Sequence, residues 1–381
     1  MPGDFDFGLT EAQEHHARQL HETSISIDLV SMGPGGAEVY DRLPQDEVKS
    51  RLPDSMNVWA RFSKALTLPY EMSAEGASDA LREFCSGHTA ASFSMGGVSP
   101  QQLRSAELMQ TWSEQIPWMT IARCAEDFRT AHTQGTYATY GNVQPSVAGL
   151  PRDLALYDDA FAAGARSVML TYNNQDFVGA GCTERTNAGL SHFGKKLLNH
   201  LNKIGLLVDT SHCGRQTTLD ACLFSDRPVM ANHTAAARIF NHDRAKSDEE
   251  LIAIAASGGV IGVYALPFFL ASPQENPTFD LILDNIDYIA KLVGWQHVAI
   301  GTDWPFMMSH HLAEVTIGTQ TADLGFRPEH GISVSRTTEG YQDARDFLNY
   351  SRGLLARGYT DEQIKGILGE NFLSLFEDVC G

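Results

Sequence analysis

Residues 205–212 read GLLVDTSH, a short run of apolar residues that ends in polar ones. The same pattern recurs at residues 227–233, RPVMANH, and at residues 297–303, HVAIGTD. None of the three runs alternates between apolar and polar positions, as a strand with one solvated face does. We therefore expect buried parallel strands, each of which carries polar side chains at its carboxyl end.

Apolar runs of this kind occur eight times along the chain, separated by patterns typical of helices from about residue 85 onward. The predicted strands cover residues 25–29, 89–95, 136–143, 166–171, 206–210, 228–232, 259–264 and 297–302. The predicted helices cover residues 153–163, 195–204, 247–256, 279–293, 339–357 and 361–376. This alternation predicts an α/β fold, a (β/α)8 TIM barrel. The rival fold, a doubly wound sheet, lacks support because the glycine-rich residues 33–36 fit neither GxGxxG nor a P-loop.

Two segments are longer than an ordinary connection. A helical insertion is expected at about residues 33–88, and a long polar loop at residues 304–338 follows the last strand. Loops after strands lie at the catalytic face of such a barrel. Because no internal repeat or linker composition interrupts the chain, we expect residues 1–381 to form a single barrel domain.

Composition narrows the class of partner. The chain of 381 residues carries a formal net charge of −19, from 28 Lys+Arg and 47 Asp+Glu, which argues against binding to nucleic acid or anionic membrane. Residues 1–14 show no signal-peptide pattern, and no apolar run is long enough to span a bilayer. The six cysteines lack a CxxC motif and indicate free thiols. We expect a cytoplasmic enzyme with a small-molecule substrate, and a homodimer as the assembly to test.

Three polar side chains stand at the ends of neighbouring predicted strands, namely His212, His233 and Asp303. The mouth of a barrel brings such positions together. Imidazole and carboxylate are ligands of Zn²⁺, and three protein ligands with one open position are typical of catalytic zinc. The alternative is that each residue caps the following helix, but three at neighbouring strand ends favour a metal site.

Arg244 lies on the loop after His233. Its fork-shaped cation suits a substrate carboxylate, which it can bind through two hydrogen bonds. The alternative is a surface salt bridge with Asp243 or Glu249. Position along the chain does not decide between the two.

Several of these stretches resemble the membrane (renal) dipeptidases, a metallopeptidase branch of the amidohydrolase superfamily. The matching stretches are residues 170–173 (LTYN), 189–194 (GLSHFG), 205–212, 227–233, 258–263 (GGVIGV), 297–303 and 367–372 (ILGENF). The resemblance covers more than half of the chain. It implies a (β/α)8 barrel that hydrolyses dipeptides with two bridged zinc ions.

The resemblance also implies roles for single residues. His212 and His233 would hold the second zinc ion, and Asp303 would be the acid/base and a ligand of the first metal. Arg244, eleven residues past His233, would bind the substrate carboxylate. Tyr172 occupies the place of the family's substrate-polarising histidine, and its phenol can still donate to an oxyanion.

The sequence departs from the family pattern at the other ligands. The His-x-Asp pair of the first strand falls on Val30 and Met32, which cannot bind zinc as those ligands do. The region of the bridging glutamate holds no carboxylate, and its nearest equivalent is Gln144. We therefore expect one zinc ion at most, on the two histidines with Gln144 or Asp303 as a third ligand. Otherwise Gln144 remains a candidate for substrate binding.

Three hypotheses stay open. The first is a hydrolase of a small amide or dipeptide-like substrate, in which one metal ion and Asp303 activate water, Tyr172 stabilises the oxyanion and Arg244 anchors a carboxylate. The second is a lyase, decarboxylase or isomerase of the same superfamily, with Asp303 and the two histidines in proton transfer. The third is an inactive paralogue that binds a ligand. Loss of the first-strand ligands favours the second and third, whereas retention of the other polar residues opposes the third.

Overall fold

The computed structural model describes residues 5–31, 45–53, 82–83, 85–94, 110, 113–114, 116–145, 149–303, 324–333 and 336–381. The strands in these ranges are β1 Ile27–Ser31, β2 Ala90–Ser94, β3 Met119–Ile121, β4 Tyr137–Val143, β5 Ala165–Met169, β6 Leu207–Asp209, β7 Val229–Thr234, β8 Ile261–Val263 and β9 Val298–Ile300. All of their pairings are parallel, in the order β1-β2-β4-β5-β6-β7-β8-β9. This nearly closed eight-stranded barrel confirms the predicted fold class and all eight predicted strands. The short strand β3 pairs only with β4 and was not predicted.

The described helices are α1 Glu11–Glu22, α2 Gln45–Arg51, α3 Ala125–Gln134, α4 Ala155–Ala163, α5 His192–Ile204, α6 Arg215–Phe224, α7 Asp248–Ala256, α8 Pro267–Leu270, α9 Phe279–Val293, α10 Leu348–Ala356, α11 Asp361–Lys365 and α12 Asn371–Cys380. Ser247 and Glu250 form a capping box at the start of α7. No described helix combines the length and the apolar character that crossing a bilayer requires. Most of the predicted insertion, Met32 and residues 304–323 lie outside the described residues.

The predicted helix at residues 339–357 is wrong in its first half. Gly340 has a φ of 86°, and the backbone nitrogen of Phe279 donates to the carbonyl of Glu339, so this stretch lies beside the start of α9 instead of coiling. A 3-10 turn at Ala344–Phe347 follows, capped by the side chain of Asp343. The α-helix itself begins only at Leu348.

An apolar cluster fills the barrel interior. Leu29, Tyr140, Leu207 and Met230 contribute to it from four different strands. The ring of Phe372 stacks on Tyr140 with 5.6 Å between ring centroids. Because this interior is packed with apolar side chains, polar chemistry is confined to the carboxyl ends of the strands.

Side-chain hydrogen bonds join the first and last strands. No backbone ladder pairs β1 with β9 within the described ranges. Instead, the carboxylate of Asp28 accepts from the backbone nitrogen of Thr302 at 2.8 Å and from its hydroxyl at 2.6 Å. The backbone nitrogen of Asp303 donates to the carbonyl of Val30 at 3.1 Å. These contacts, which we call the β1–β9 seam, place the residue that follows β9 against the end of β1.

Candidate active site

His212 and His233 meet at the carboxyl ends of β6 and β7. Their Nε2 atoms lie 2.9 Å apart, and both side chains are buried. Nδ1 of His212 contacts Oδ1 of Asn173 at 2.7 Å, and Nδ1 of His233 contacts Oδ1 of Asn232 at 2.5 Å. An amide oxygen only accepts, so these hydrogen bonds assign the ring proton to Nδ1 in both histidines. Two Nε2 lone pairs then face each other, an arrangement that a cation between them would stabilise.

The charge state of the pair suits metal binding. Burial lowers the pKa of both His212 and His233 well below the usual value, and the positive charge of Arg244 adds to the effect. Both rings are therefore neutral at neutral pH, and neutral imidazole is the form that binds metals.

Asp303 completes the cluster from the end of β9. Its Oδ2 lies 3.8 Å from Nε2 of His233, and its side chain is 16% exposed. Burial raises the pKa of the carboxyl to about 7; the nearby Asp209 adds to the rise and Arg244 opposes it. A carboxyl with such a pKa can both accept and donate a proton near neutrality. Its φ of 53° lies in the left-handed region, and among the described non-glycine residues it alone has a positive φ.

The separation of the two imidazoles is close to that of two histidines that share one metal ion. Two imidazoles on a tetrahedral zinc ion place their nitrogens roughly 3.3 Å apart, so a small separation of the rings would admit it. Within the described ranges no group of three His, Cys, Asp or Glu side chains is arranged to hold an ion as it stands. At the place of the family's first-strand histidine, β1 carries the buried aliphatic side chain of Val30, which binds no metal.

Arg244 is fully buried, which excludes the surface salt bridge considered from sequence. Its guanidinium donates to the carbonyls of Ser211 and His233, the latter at 3.4 Å, and so supports the backbone around both histidines. Asp243 pairs instead with Arg327. Nε of Arg244 has no hydrogen-bond partner among the described residues. A buried donor of this kind is suited to an incoming anion.

The structure places Tyr172 against the histidine pair but shows no contact for Gln144 there. The ring of Tyr172 stacks on that of His212, with centroids 4.0 Å apart and 18° between planes. Burial and the charge of Asp303 raise the pKa of its phenol, which stays protonated and able to donate. Gln144 follows β4, and its amide nitrogen is buried without a partner among the described residues.

Three polar residues for which the sequence pattern predicts no role organise the site. Asp209 accepts from the backbone nitrogens of Ser211 and Asn232, each at 3.0 Å, and ties the end of β6 to that of β7. Asn173 and Asn232 orient the two imidazoles. Each asparagine stands directly beside a residue already singled out, Tyr172 or His233. That adjacency is the signal that could have identified them.

A family model described as membrane dipeptidase, peptidase family M19, matches residues 84–316, more than half of the chain. Dipeptidase verJ of Clonostachys rogersoniana is 26% identical over 224 residues, which cover 58% of this chain and 50% of that protein. An uncharacterised dipeptidase of Schizosaccharomyces pombe is 30% identical over 181 residues, which cover 47% of this chain and 43% of its own length. The chain thus spans about half the length of the curated relatives it matches.

Solved structures share the fold. An amidohydrolase from Pseudomonas aeruginosa superimposes with a TM-score of 0.73 at 24% identity, covering 95% of this chain and 98% of that one. A metallo peptidase from Rhodobacter sphaeroides, liganded with a phosphinate mimic of the dipeptide L-Ala-D-Ala, has a TM-score of 0.64 at 18% identity, covering 93% and 99%. The barrel agrees with the family match, and the chain belongs to the membrane dipeptidase family, peptidase family M19.

Proposed function

We propose that the chain is a metal-dependent, dipeptidase-like hydrolase of a small amide that carries a free carboxylate, and that it works with one metal ion. The observation that carries the proposal is the pair of neutral imidazoles of His212 and His233, whose lone pairs face each other 2.9 Å apart beside the carboxyl of Asp303. Family membership supports hydrolysis as the reaction.

His212, His233 and Asp303 would hold the ion, for which we propose zinc. Two imidazoles and one carboxylate are a ligand set that catalytic zinc sites use. When bound, the ion supplies Lewis acidity to the substrate carbonyl and to the attacking water. Val30 and Met32 leave the ligands of a second ion without replacement.

The proton transfers fall to Asp303. Its carboxylate lies 3.8 Å from Nε2 of His233 and is partly exposed, so it would accept a proton from the attacking water and return it to the leaving nitrogen. Tyr172, beside His212, donates its phenolic hydrogen to the oxygen on which negative charge develops.

Two residues would bind the remainder of the substrate. Arg244 anchors the carboxylate through the unpaired part of its guanidinium, since two of its hydrogen bonds already go to backbone carbonyls. Gln144 has a buried amide nitrogen without a partner among the described residues, and this donor would satisfy a substrate oxygen.

The proposal extends to assembly and location. Residues 1–381 would form one barrel domain, supported by a sheet that runs continuously from β1 to β9. Six free cysteines support a reducing compartment, for which we propose the cytoplasm. A homodimer is proposed as well. Leu223, 72% exposed, and Ile252, 48% exposed, offer apolar surface for it, and sedimentation would test it.

The decisive experiment combines metal analysis with a substrate panel. Purified protein would be assayed for zinc, then tested on dipeptides and on N-acyl amino acids with and without added Zn²⁺. We expect hydrolysis that needs the metal and a substrate carboxylate. A folded, zinc-loaded protein that hydrolyses no member of the panel would contradict the proposal and point to the lyase, decarboxylase or isomerase alternative.

A further inference from the structure

The orientation of His212 depends on an asparagine that is itself held from outside the barrel. Asn173 is fully buried, and its Oδ1 accepts the Nδ1 proton of His212 at 2.7 Å. Its Nδ2 donates to the backbone carbonyl of Leu324 at 2.7 Å. A carbonyl oxygen can only accept, so the amide cannot be turned round without the loss of this hydrogen bond.

Leu324 begins a segment that crosses two loops of the barrel mouth, residues 324–330. Arg327 reaches Oδ2 of Asp243 at 2.5 Å on the loop after β7, and the carbonyl of Thr183 at 3.2 Å on the loop after β5. His330 approaches the same carboxylate of Asp243 at 3.2 Å. The position of the Leu324 carbonyl is therefore set by contacts on both sides of the site.

From this geometry we propose that Asn173 is a positioning residue for His212, and that the 324–330 segment sets the orientation of Asn173. With Oδ1 toward the ring, the proton of His212 must stay on Nδ1 and its Nε2 stays free as a lone pair. With the amide reversed, Nδ2 would face Nδ1, and the ring proton would move to Nε2. The proton would then occupy the position that a cation needs.

The partner histidine gives an internal contrast. Oδ1 of Asn232 contacts Nδ1 of His233, but Nδ2 of Asn232 has no hydrogen-bond partner among the described residues. The orientation of Asn232 therefore lacks the carbonyl that fixes Asn173. The Oγ of Ser211 also donates to Oδ1 of Asn232 at 2.8 Å, but a hydroxyl can rotate to serve either orientation of the amide. Both histidines carry their proton on Nδ1, and the tautomer of His212 is the more firmly fixed of the two. Only the link from tautomer to metal affinity rests on the proposed function.

The test reads the tautomer of His212 in metal-free protein. The full chain, labelled with ¹⁵N-histidine, would be examined by long-range ¹H–¹⁵N NMR at slightly alkaline pH, with His212→Gln used only to assign the signals. We expect Nδ1–H in the wild type. Asn173→Ala should move proton population to Nε2, whereas Asn173→Asp, which keeps an acceptor next to the ring, should retain Nδ1–H.

Affinity for added Co²⁺, followed by its visible absorption, gives a second readout that needs no substrate. Loss of an outer-shell partner of a metal ligand typically weakens binding by about 10–100-fold, and we expect Asn173→Ala to fall in this range. Asn173→Asp should bind Co²⁺ more tightly than Asn173→Ala. A purely structural role for Asn173 would lower the melting temperature without this recovery.

Two glycines, one in the 324–330 segment and one directly after it, supply a matched pair of variants. Gly325 and Gly331 both have a left-handed φ, of 84° and 60°. An added methyl would collide with Asn174 at Gly325, next to the Leu324 carbonyl, but with Pro273 at Gly331. Gly325→Ala should therefore disturb the His212 tautomer and lower Co²⁺ affinity, and Gly331→Ala should change neither while it carries comparable backbone strain.

An unchanged His212 tautomer in Asn173→Ala would overturn the proposal. Should that variant fail to fold, an unchanged tautomer in folded Gly325→Ala would do the same. Because the tautomer is measured without metal, this result is independent of the proposed function. A wild type that binds neither Co²⁺ nor Zn²⁺ would contradict the metal site and leave the positioning result standing.

Discussion

The two halves of the barrel mouth differ in the side chains at their strand ends, which are ionisable in one half and not in the other; we call them the charged half and the uncharged half. The half formed by the ends of β6, β7 and β9 carries His212, His233 and Asp303, which contact one another. The half formed by the ends of β1 and β4 carries Val30 and the neutral amide of Gln144, whose nitrogen has no partner among the described residues. The family pattern has metal ligands in both halves, and this chain keeps them only at the ends of β6, β7 and β9.

This difference indicates which parts of the chemistry can be separated. The half with the histidines would hold the proposed cation, the proton carrier Asp303 and the buried Arg244, which are enough for the proposed single-metal hydrolase. The opposite half offers hydrogen-bond donors without charge, which are suited to substrate oxygens but not to a second ion. Variants on the two sides should therefore have very different effects.

The largest effect is expected from Asp303→Asn. The amide keeps the size of the side chain and removes its proton chemistry, so kcat should fall by roughly 10²–10⁴ while the melting temperature changes little. Turnover and thermal melting would be measured on the same preparation. A well-folded variant with near-wild-type turnover would show that the charged half does not carry the reaction.

Next in size is the effect of His233→Ala on metal content. We expect at most one equivalent of zinc in the wild type by elemental analysis, and none retained in this variant, because one imidazole cannot hold the ion. His200→Ala, at a partly buried histidine paired with Asp158 away from the barrel mouth, is the control and should keep the wild-type content. Two tightly held equivalents in the wild type would mean that the uncharged half binds metal after all.

The third prediction concerns the pH dependence of stability. It tests the protonation of Asp28, the β1 residue of the β1–β9 seam. Burial raises the pKa of Asp28 to about 7, so its charged form is disfavoured in the folded state. The unfolded chain releases this proton near the usual value, so the contribution of Asp28 to stability is fully present at low pH and is lost as pH rises toward 7. The loss for this group is on the order of 4 kcal/mol.

Asp28→Asn should make that fall less steep, since only the carboxyl of Asp303, which also has a pKa of about 7, and other buried acids would still contribute. Chemical denaturation at a series of pH values between 4 and 7 would measure the slope. An identical slope in the variant would show that Asp28 is not protonated in the folded protein near neutrality.

Arg244→Ala should raise KM by roughly 10- to 100-fold, as expected for the loss of hydrogen bonds to a charged group, and lower kcat by less. Since Arg244 also supports the carbonyls of Ser211 and His233, some loss of stability is expected alongside. Arg244→Lys keeps the charge but not the fork-shaped guanidinium, so its KM should lie between those of the wild type and of Arg244→Ala. An unchanged KM for the carboxylate-bearing substrate would remove Arg244 from substrate binding.

The smallest effect is expected from Gln144→Ala, on the uncharged half. Loss of one neutral hydrogen bond to substrate should raise KM by about 2- to 10-fold and leave zinc content unchanged. Steady-state kinetics and elemental analysis would be compared with the wild type. A loss of zinc in this variant would make Gln144 a ligand and weaken the contrast between the halves.

Sequence alone predicted the barrel, its eight strands and the residues at the strand ends, because buried parallel strands leave apolar runs that end in polar residues. It predicted that His212, His233 and Asp303 would converge, since the carboxyl ends of barrel strands share one mouth. The start of the helix after residue 339 was missed, because the bond between Phe279 and Glu339 is a tertiary contact that overrides local helical preference.

The hydrogen bonds that orient the side chains of the site could not be predicted either, because they too are tertiary contacts. The hydrogen bond of Asn173 to Leu324 joins residues 151 positions apart, and no local pattern encodes it. The full burial of Arg244 was equally invisible in the sequence, in which a surface ion pair remained an equal alternative.

The β1–β9 seam has a consequence for the order in which the chain folds. The bond from Thr302 to Asp28 joins residues 274 positions apart, so it can form only after the intervening strands have been arranged. The closure entropy of so long a loop delays such contacts until late in folding. Weakening the seam should accordingly speed unfolding far more than it slows folding, so that Asp28 and Thr302 govern how long the barrel stays closed once it has formed.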